Sequence, residues 1–205
     1  MVLALLGWLL CFAVLAYLGT WTPFAFVGVL FATLAVQASA VPVAEFRLNR
    51  RSLLIGLGAG VMMVLLTHLT YGWLSAAFPP VRSGTLELLS LLNVVSFSPL
   101  ACAALIVVIA SCEEVLFRGL LRGSPRGQHP RLRRLSGREF GGLVGWSVLY
   151  ALTTVPLASP LLVLCAFVCG TVWATLRVAT GSIVVPILAH VLWDLGVLLV
   201  WPLAH

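Results

Sequence analysis

The sequence predicts an all-α protein: a polytopic transmembrane helical bundle of about seven spans with one short interfacial or re-entrant helix. Hydrophobic residues make up 61% of the 205 residues and charged residues 9%, whereas soluble domains carry about 25% charged residues. The apolar residues form long runs, and most charges lie between the runs or at their ends. These observations exclude a soluble enzyme, a disordered chain and a secreted disulfide scaffold, because a soluble protein of this size could not bury so much apolar surface.

The first half of the chain contains three predicted spans. They cover residues 2–18, 23–44 and 53–78. Gly56 and Gly60 give the third span a face of small residues, which favours close helix packing. The pair Pro79-Pro80 ends this span. Residues 86–96 are too few to cross a bilayer, so we expect them to lie at the interface or to re-enter the membrane.

The second half of the chain contains four further predicted spans. They cover residues 99–122, 141–157, 160–178 and 183–203. Pro99 begins the first of them, and Thr180-Gly181-Ser182 separates the last two. Neither an internal repeat nor a separate soluble domain is evident. We therefore expect residues 1–205 to form a single integral-membrane domain.

The distribution of arginine orients the predicted bundle. All 12 basic residues are Arg, and ten of them occur in the second connection, in residues 122–140 and at Arg177. Because cytoplasmic loops are rich in basic residues, we expect these connections and the N-terminus on the cytoplasmic side. This placement explains the net charge of +6 without a nucleic-acid partner. The absence of lysine favours a bacterial cytoplasmic membrane, with the lipid bilayer as the surrounding partner.

Four charged residues lie inside apolar runs and form the main functional signal: Glu113, Glu114, Arg118 and Asp194. Each costs roughly 2.5–3.5 kcal/mol at the centre of a membrane helix, so we expect them to satisfy one another. Glu114 and Arg118 are four residues apart on one helix face and are predicted to pair. Glu113 is rotated by about 100° from Glu114 and is predicted to be a free carboxylate, suited to act as a general base.

The last span contains a second polar pair at a similar depth. His190 and Asp194 are also four residues apart, so the carboxylate can orient the imidazole. Glu113 and His190 are both expected roughly 12–14 Å below the cytoplasmic surface. Two polar clusters at one depth can meet in an intramembrane cavity. His68 has no carboxylate close to it in sequence, and we interpret it as a helix-interface residue.

These residues resemble the motifs of the CPBP family, the CAAX-processing and bacteriocin-immunity-related (Abi) intramembrane proteases. The resemblance covers about residues 99–203 and rests on Glu113-Glu114-x-x-x-Arg118 and Thr180-Gly181-Ser182-x-x-x-Pro186-x-x-x-His190-x-x-x-Asp194. It implies a glutamate-dependent endopeptidase that cleaves a membrane-anchored peptide or protein. It also implies that Glu113 activates water, that Glu114 and Arg118 support the site, and that His190 and Asp194 stabilise the oxyanion.

One position departs from the family pattern. The middle motif of the family has an aromatic residue followed four positions later by His, and the matching positions here are Tyr150 and Thr154. A threonine hydroxyl can hydrogen-bond a water molecule, but it cannot take up a proton near neutral pH. Two interpretations stay open: an endopeptidase that works with Glu113 and His190, or a non-catalytic relative that binds membrane partners.

Two other kinds of function agree less well with the sequence. A transporter or proton-relay subunit would also use buried Glu, His and Asp, but the chain shows no pair of repeated halves with interrupted helices. The sequence contains no HExxH motif that would indicate a metal site. Pairing with Arg118 would also remove Glu114 as a ligand and add positive charge. We therefore expect neither a metal nor a cofactor.

Overall fold

The computed structural model describes residues 2–37, 41–92, 98–119 and 137–203, and these residues form eight α-helices and no strand. The prediction of an all-α protein is confirmed. The helices are α1 (Val2–Leu18), α2 (Thr22–Gln37), α3 (Arg50–Ala77), α4 (Pro79–Leu92), α5 (Pro99–Glu113), α6 (Gly137–Leu152), α7 (Pro160–Thr180) and α8 (Val184–Asp194). Two π-helical segments, Glu114–Arg118 and Leu195–Val200, directly continue α5 and α8.

Three of these helical stretches are long and apolar enough to cross a membrane: Arg50–Ala77, Pro99–Arg118 and Pro160–Thr180. Four shorter apolar helices accompany them: Leu5–Leu18, Thr22–Gln37, Phe140–Leu152 and Val184–Val200. The outer surface of α3 is strongly apolar. Leu54, Val61, Met62, Leu66 and Leu69 are each at least half exposed. Such a surface suits lipid contact, because soluble monomers rarely expose large contiguous apolar patches.

Two predicted spans end earlier than the apolar pattern indicated. The second ends at Gln37 instead of residue 44, and a short 3₁₀ helix at Val43–Phe46 follows Pro42. The fifth ends at Leu152 instead of residue 157, and a 3₁₀ turn at Val155–Leu157 follows it. Pro42 and Pro156 lie in these two places, and each lacks the backbone N–H that a helix continuing through it would need. Hydrophobicity alone does not report this interruption.

The segment after Pro79 is more regular than expected. Pro79 begins α4, which extends to Leu92, so most of the segment expected at residues 86–96 is the end of a 14-residue helix. The remainder, residues 93–96, lies outside the described residues. The indole of Trp21 at the start of α2 donates to the carbonyl oxygen of Leu92 over 2.6 Å. This bond ties the end of α4 to the α1–α2 connection.

The close approach predicted for Gly56 and Gly60 joins α3 to α8. A Cβ added at Gly56 would lie 2.8 Å from Leu188 Cβ, and one added at Gly60 would lie 2.9 Å from Leu192 Cβ. Real Cβ atoms are not found so close, so the two helices pack in contact only because both positions are glycine. Packing against α3 fixes the rotation of α8 and thereby the direction of its polar face.

Three connections meet at one end of the bundle. Arg177, in the last turn of α7, is buried and forms an ion pair with the partly exposed Glu45 of the α2–α3 connection. Its Nε donates to the carbonyl oxygen of Arg118 over 3.1 Å, and the backbone N–H of Ile183 donates to the Glu45 carbonyl oxygen. The arginine-rich residues 122–136 lie outside the described residues. The ends of the helices that flank the basic connections are therefore neighbours.

His68 lies on the opposite part of α3 from that end. Its Nδ1 is 2.9 Å from the carbonyl oxygen of Val64, and its Nε2 is 2.8 Å from that of Trp201. The imidazole stacks on the Trp201 ring at 3.8 Å between centroids. These contacts place His68 at a helix interface, as its sequence environment predicts.

Candidate active site

The polar cluster is built on the C-terminal parts of α5 and α8, where both helices change to π geometry. In the segment Glu114–Arg118 the backbone N–H of Gly119 bonds to the carbonyl oxygen of Glu114 over 3.0 Å. In α8 the π segment begins directly after Asp194. Single π turns inside α-helices occur often at functional sites, because they move side chains off the regular helical positions.

Glu113 is buried, with 5% of its surface exposed, and each carboxylate oxygen accepts a hydrogen bond. The Trp8 indole donates to Oε1 over 2.7 Å, and the Tyr150 hydroxyl donates to Oε2 over 2.7 Å. Arg118 pairs with Glu114 and leaves Glu113 to these two uncharged donors, which hold its side chain in place. A buried carboxylate requires such donors, and they come from α1 and α6, far away in sequence.

Glu114 and Arg118 form the ion pair that their spacing predicts. Glu114 Oε1 lies 3.3 Å from Arg118 Nη1, and both side chains are almost completely buried. The guanidinium carbon of Arg118 lies 4.2 Å from the centre of the Tyr150 ring and 5.3 Å from that of Trp173. Gly170 on α7 leaves room for this arrangement, since an added Cβ would lie 2.9 Å from Arg118 Nη2.

His190 joins the two helices and faces three carboxylates. Its Nδ1 is 2.9 Å from Glu114 Oε1, and its Nε2 is 3.4 Å from Asp194 Oδ2 and 3.8 Å from Glu113 Oε2. The ring stacks on the Trp173 indole at 3.6 Å between centroids. The structure thus brings together five residues that the sequence placed on two separate spans: Glu113, Glu114, Arg118, His190 and Asp194.

The two positions of the middle motif behave differently. Tyr150 is part of the cluster through its hydroxyl. Thr154 is buried, but its hydroxyl donates to the carbonyl oxygen of Ala151 over 2.8 Å. The neighbouring Thr153 makes the same kind of bond to the carbonyl oxygen of Tyr150. These two hydroxyls satisfy the carbonyls at the end of α6.

Hydrogen-bonding groups remain available around the imidazole. Among the described residues, the buried polar atoms without a hydrogen-bond partner include Glu114 Oε2, both terminal nitrogens of Arg118 and Trp173 Nε1. The contact between Arg118 Nη1 and Glu114 is an ion pair without hydrogen-bond geometry. Buried polar groups are normally paired, so these atoms suit a polar group that enters the cluster.

Sequence reasoning missed Trp8, Trp173 and the pair of Glu45 with Arg177. Trp8 and Trp173 occur in apolar runs, where a tryptophan is typical of packing, and no pattern distinguishes one that donates to a carboxylate. From the sequence, Arg177 indicates only the orientation of the bundle. A basic residue in the last turn of a span could have suggested a partner in a neighbouring connection, but the sequence does not say which one.

The described residues include no group of three or more His, Cys, Asp or Glu side chains that could hold a metal ion. In the cluster, Arg118 pairs with one glutamate, and uncharged donors hold the other.

Residues 95–196 match the Rce1-like family model, described as type II CAAX prenyl endopeptidase Rce1-like. The matched segment contains both polar helices and Tyr150, and it excludes α1 to α4. No curated protein and no solved structure matches the chain.

Proposed function

Since residues 95–196 of this chain belong to the CAAX protease (CPBP) family, we propose that the protein is an intramembrane endopeptidase in which Glu113 activates water. The observation that carries this proposal is the meeting of Glu113 and His190, with 3.8 Å between Oε2 and Nε2. This distance is too long for a direct hydrogen bond. It suits two groups that act on one reacting centre from two helices, with Glu113 on the attacking water and His190 on the carbonyl oxygen.

In the proposed reaction, Glu113 takes a proton from water as the water oxygen attacks the peptide carbonyl carbon. The carbonyl oxygen gains negative charge, and a tetrahedral intermediate forms. Glu113 then gives the proton to the amide nitrogen as the carbon–nitrogen bond breaks, and an amine and a carboxylic acid leave. General acid–base catalysis of this kind contributes about 10²–10⁴-fold.

His190 is the proposed donor to the developing oxyanion. Its Nδ1 lies within hydrogen-bond distance of Glu114 and its Nε2 lies beside Asp194. With both nitrogens protonated, Nδ1–H donates to Glu114, and Nε2–H is directed toward the reacting oxygen while Asp194 stabilises the ring. Removal of one such donor typically costs about 2.7–4 kcal/mol of transition-state stabilisation. Glu114 and Arg118 hold the imidazole in place.

The proposed substrate is a membrane-associated peptide or protein anchor. The reacting groups are buried within apolar helices, which suits a substrate that is itself anchored in the membrane. The cluster lies toward the end of the bundle where Glu45 and Arg177 meet. We propose that this end faces the cytoplasm of a bacterial cell, with the N-terminus inside, because the basic connections flank it.

Mass spectrometry of membrane-protein termini tests this function. Cells would produce the wild-type protein, Glu113→Gln or Glu87→Gln at matched levels. Glu87 is an exposed acidic residue on α4 and serves as the control. We expect new termini with the wild type and Glu87→Gln, and none with Glu113→Gln. New termini that persist in Glu113→Gln would overturn the assignment of Glu113 as the base.

The alternative is a non-catalytic relative that binds membrane peptides. The observation that favours it is the use of Thr154 to satisfy a backbone carbonyl, since this residue replaces the family's His. Thr154→His separates the two functions. A binding protein with an otherwise complete site would gain cleavage, whereas an enzyme already adapted to Thr154 would gain little or lose activity.

A further inference from the structure

Trp8 connects the unmatched half of the chain to the proposed base. Its indole N–H donates to Glu113 Oε1 over 2.7 Å, across 105 residues of sequence. The side chain is completely buried. It lies on α1, outside the segment 95–196 that matches the family model.

The position of the Trp8 ring is set by its neighbours on two other elements. Phe24 of α2 packs edge-on against it at 5.4 Å, and Phe117 packs against it at 6.3 Å. Gly28 of α2 leaves the space that the ring occupies, since an added Cβ would lie 3.0 Å from Trp8 Cη2 and 3.0 Å from Cys112 Cβ. These contacts pack around the indole while its N–H is directed at the carboxylate.

The two oxygens of Glu113 have chemically different surroundings as a result. Oε1 faces an indole N–H, which donates and cannot accept a proton. Oε2 faces the Tyr150 hydroxyl and lies 3.8 Å from His190 Nε2. The two oxygens of a carboxylate are equivalent, so a half-turn restores the same contacts, but a smaller rotation would break the bond to Trp8.

We propose that Trp8 is a positioning residue that fixes the plane of the Glu113 carboxylate, with one oxygen toward His190, so that α1 completes the active site. The inference rests on the proposed role of Glu113 as the base. Trp8 itself touches neither water nor substrate in this scheme. Misplacement of a reacting group by about 1 Å can cost about 10²-fold in rate, which sets the expected scale of its effect.

Trp8→Phe tests this role, and Trp21→Phe is a matched control. Trp21 also packs on Phe24, at 5.3 Å, and also donates an indole hydrogen bond, but to the Leu92 carbonyl oxygen. Both substitutions remove one indole N–H from the same aromatic cluster. Only Trp8→Phe removes a donor from Glu113.

The first measurement is the infrared carboxylate band of Glu113 in the purified full-length protein. The chain has six acidic residues, so the difference spectrum between wild type and Glu113→Gln isolates this band. We expect Trp8→Phe to shift it and Trp21→Phe to leave it unchanged. A band unchanged in Trp8→Phe would overturn the positioning role. This measurement needs no substrate.

The second measurement is cleavage of the substrate identified from its new termini. We expect Trp8→Phe to lower kcat about 10–100-fold with KM unchanged, and Trp21→Phe to keep the wild-type kcat. Equal losses of kcat in the two variants would show that Trp8 contributes only packing and would overturn the positioning role. Full cleavage by Glu113→Gln would instead refute the proposed function, while the infrared result would still report on the contact.

A further variant covers the case in which Trp8→Phe does not fold. Replacement of Trp8 by benzothienylalanine keeps the shape of the bicyclic ring and exchanges the N–H for sulfur. We expect the same shift of the Glu113 band and the same loss of kcat. Wild-type behaviour of this variant would contradict the proposal.

Discussion

The N-terminal half of the chain and the half that matches the family model contribute different chemistry to one cluster. The matched half supplies the charged residues, and their ionic partners lie in the same half, as with Glu114 and Arg118. The N-terminal half supplies an uncharged donor, Trp8, and the two glycines that allow α8 to pack closely against α3. Ionic pairing alone therefore leaves Glu113 unsatisfied, and the fold satisfies it with neutral donors.

This difference has a physical reason. A charged side chain in an apolar span is costly unless it is paired. A residue of opposite charge four positions away lies on the same helix face and can supply that partner. A carboxylate in the proposed role of Glu113, the base that accepts a proton from water, gains from donors that do not neutralise it. Trp8 and Tyr150 are donors of this kind, and they restrain Glu113 without an ion pair.

The largest expected effect comes from breaking the ionic pair of the matched half. Arg118→Ala leaves Glu114 buried without its cation, which should lower the free energy of unfolding by about 3–5 kcal/mol. Thermal unfolding in detergent measures this loss. The double variant Glu114→Gln/Arg118→Met should recover much of the stability, and a double variant as unstable as the single one would contradict the pairing argument.

The pair that links the two halves should have a smaller effect. Glu45→Gln leaves Arg177, which is completely buried, with a neutral partner. We expect a loss of about 1.5–3 kcal/mol, the range for hydrogen bonds to charged groups. A double-mutant cycle with Arg177→Gln measures the coupling energy. Additive losses would show that the two side chains do not stabilise each other.

The contact between α3 and α8 tests whether packing from the N-terminal half sets the orientation of His190. Gly60→Leu should cost about 1–3 kcal/mol through overpacking and should also lower activity, because α8 must move away. Gly58→Leu is the control, since no atom lies within 4 Å of a Cβ added there. Equal unfolding temperatures for the two variants would argue against a close α3–α8 interface.

Thr154→Ala should have the smallest effect. Its hydroxyl bonds to the carbonyl oxygen of Ala151, and loss of one such bond costs about 0.5–1.5 kcal/mol. We expect cleavage by this variant to match that of the wild type once protein levels are equal. A large loss of activity at unchanged stability would instead place Thr154 among the functional residues.

Several features could be predicted from the sequence because they depend on local geometry. The composition and the apolar runs determine a helical membrane bundle, and helix periodicity determines which residues share a face. The contacts of Glu114 with Arg118 and of His190 with Asp194 follow from a spacing of four residues. The shared depth of Glu113 and His190 also follows, because each helix rises by about 1.5 Å per residue.

The tertiary structure decided which side chains from other helices contact the polar helix faces. The contact of Trp8 with Glu113 joins residues 105 positions apart, and that of Tyr150 with Glu113 joins residues 37 positions apart. Such contacts depend on helix rotation and packing, which the close approach at Gly56 and Gly60 and the aromatic cluster determine. Hydropathy records that a residue is apolar, whereas the partner that its N–H or O–H meets depends on how all the helices pack together.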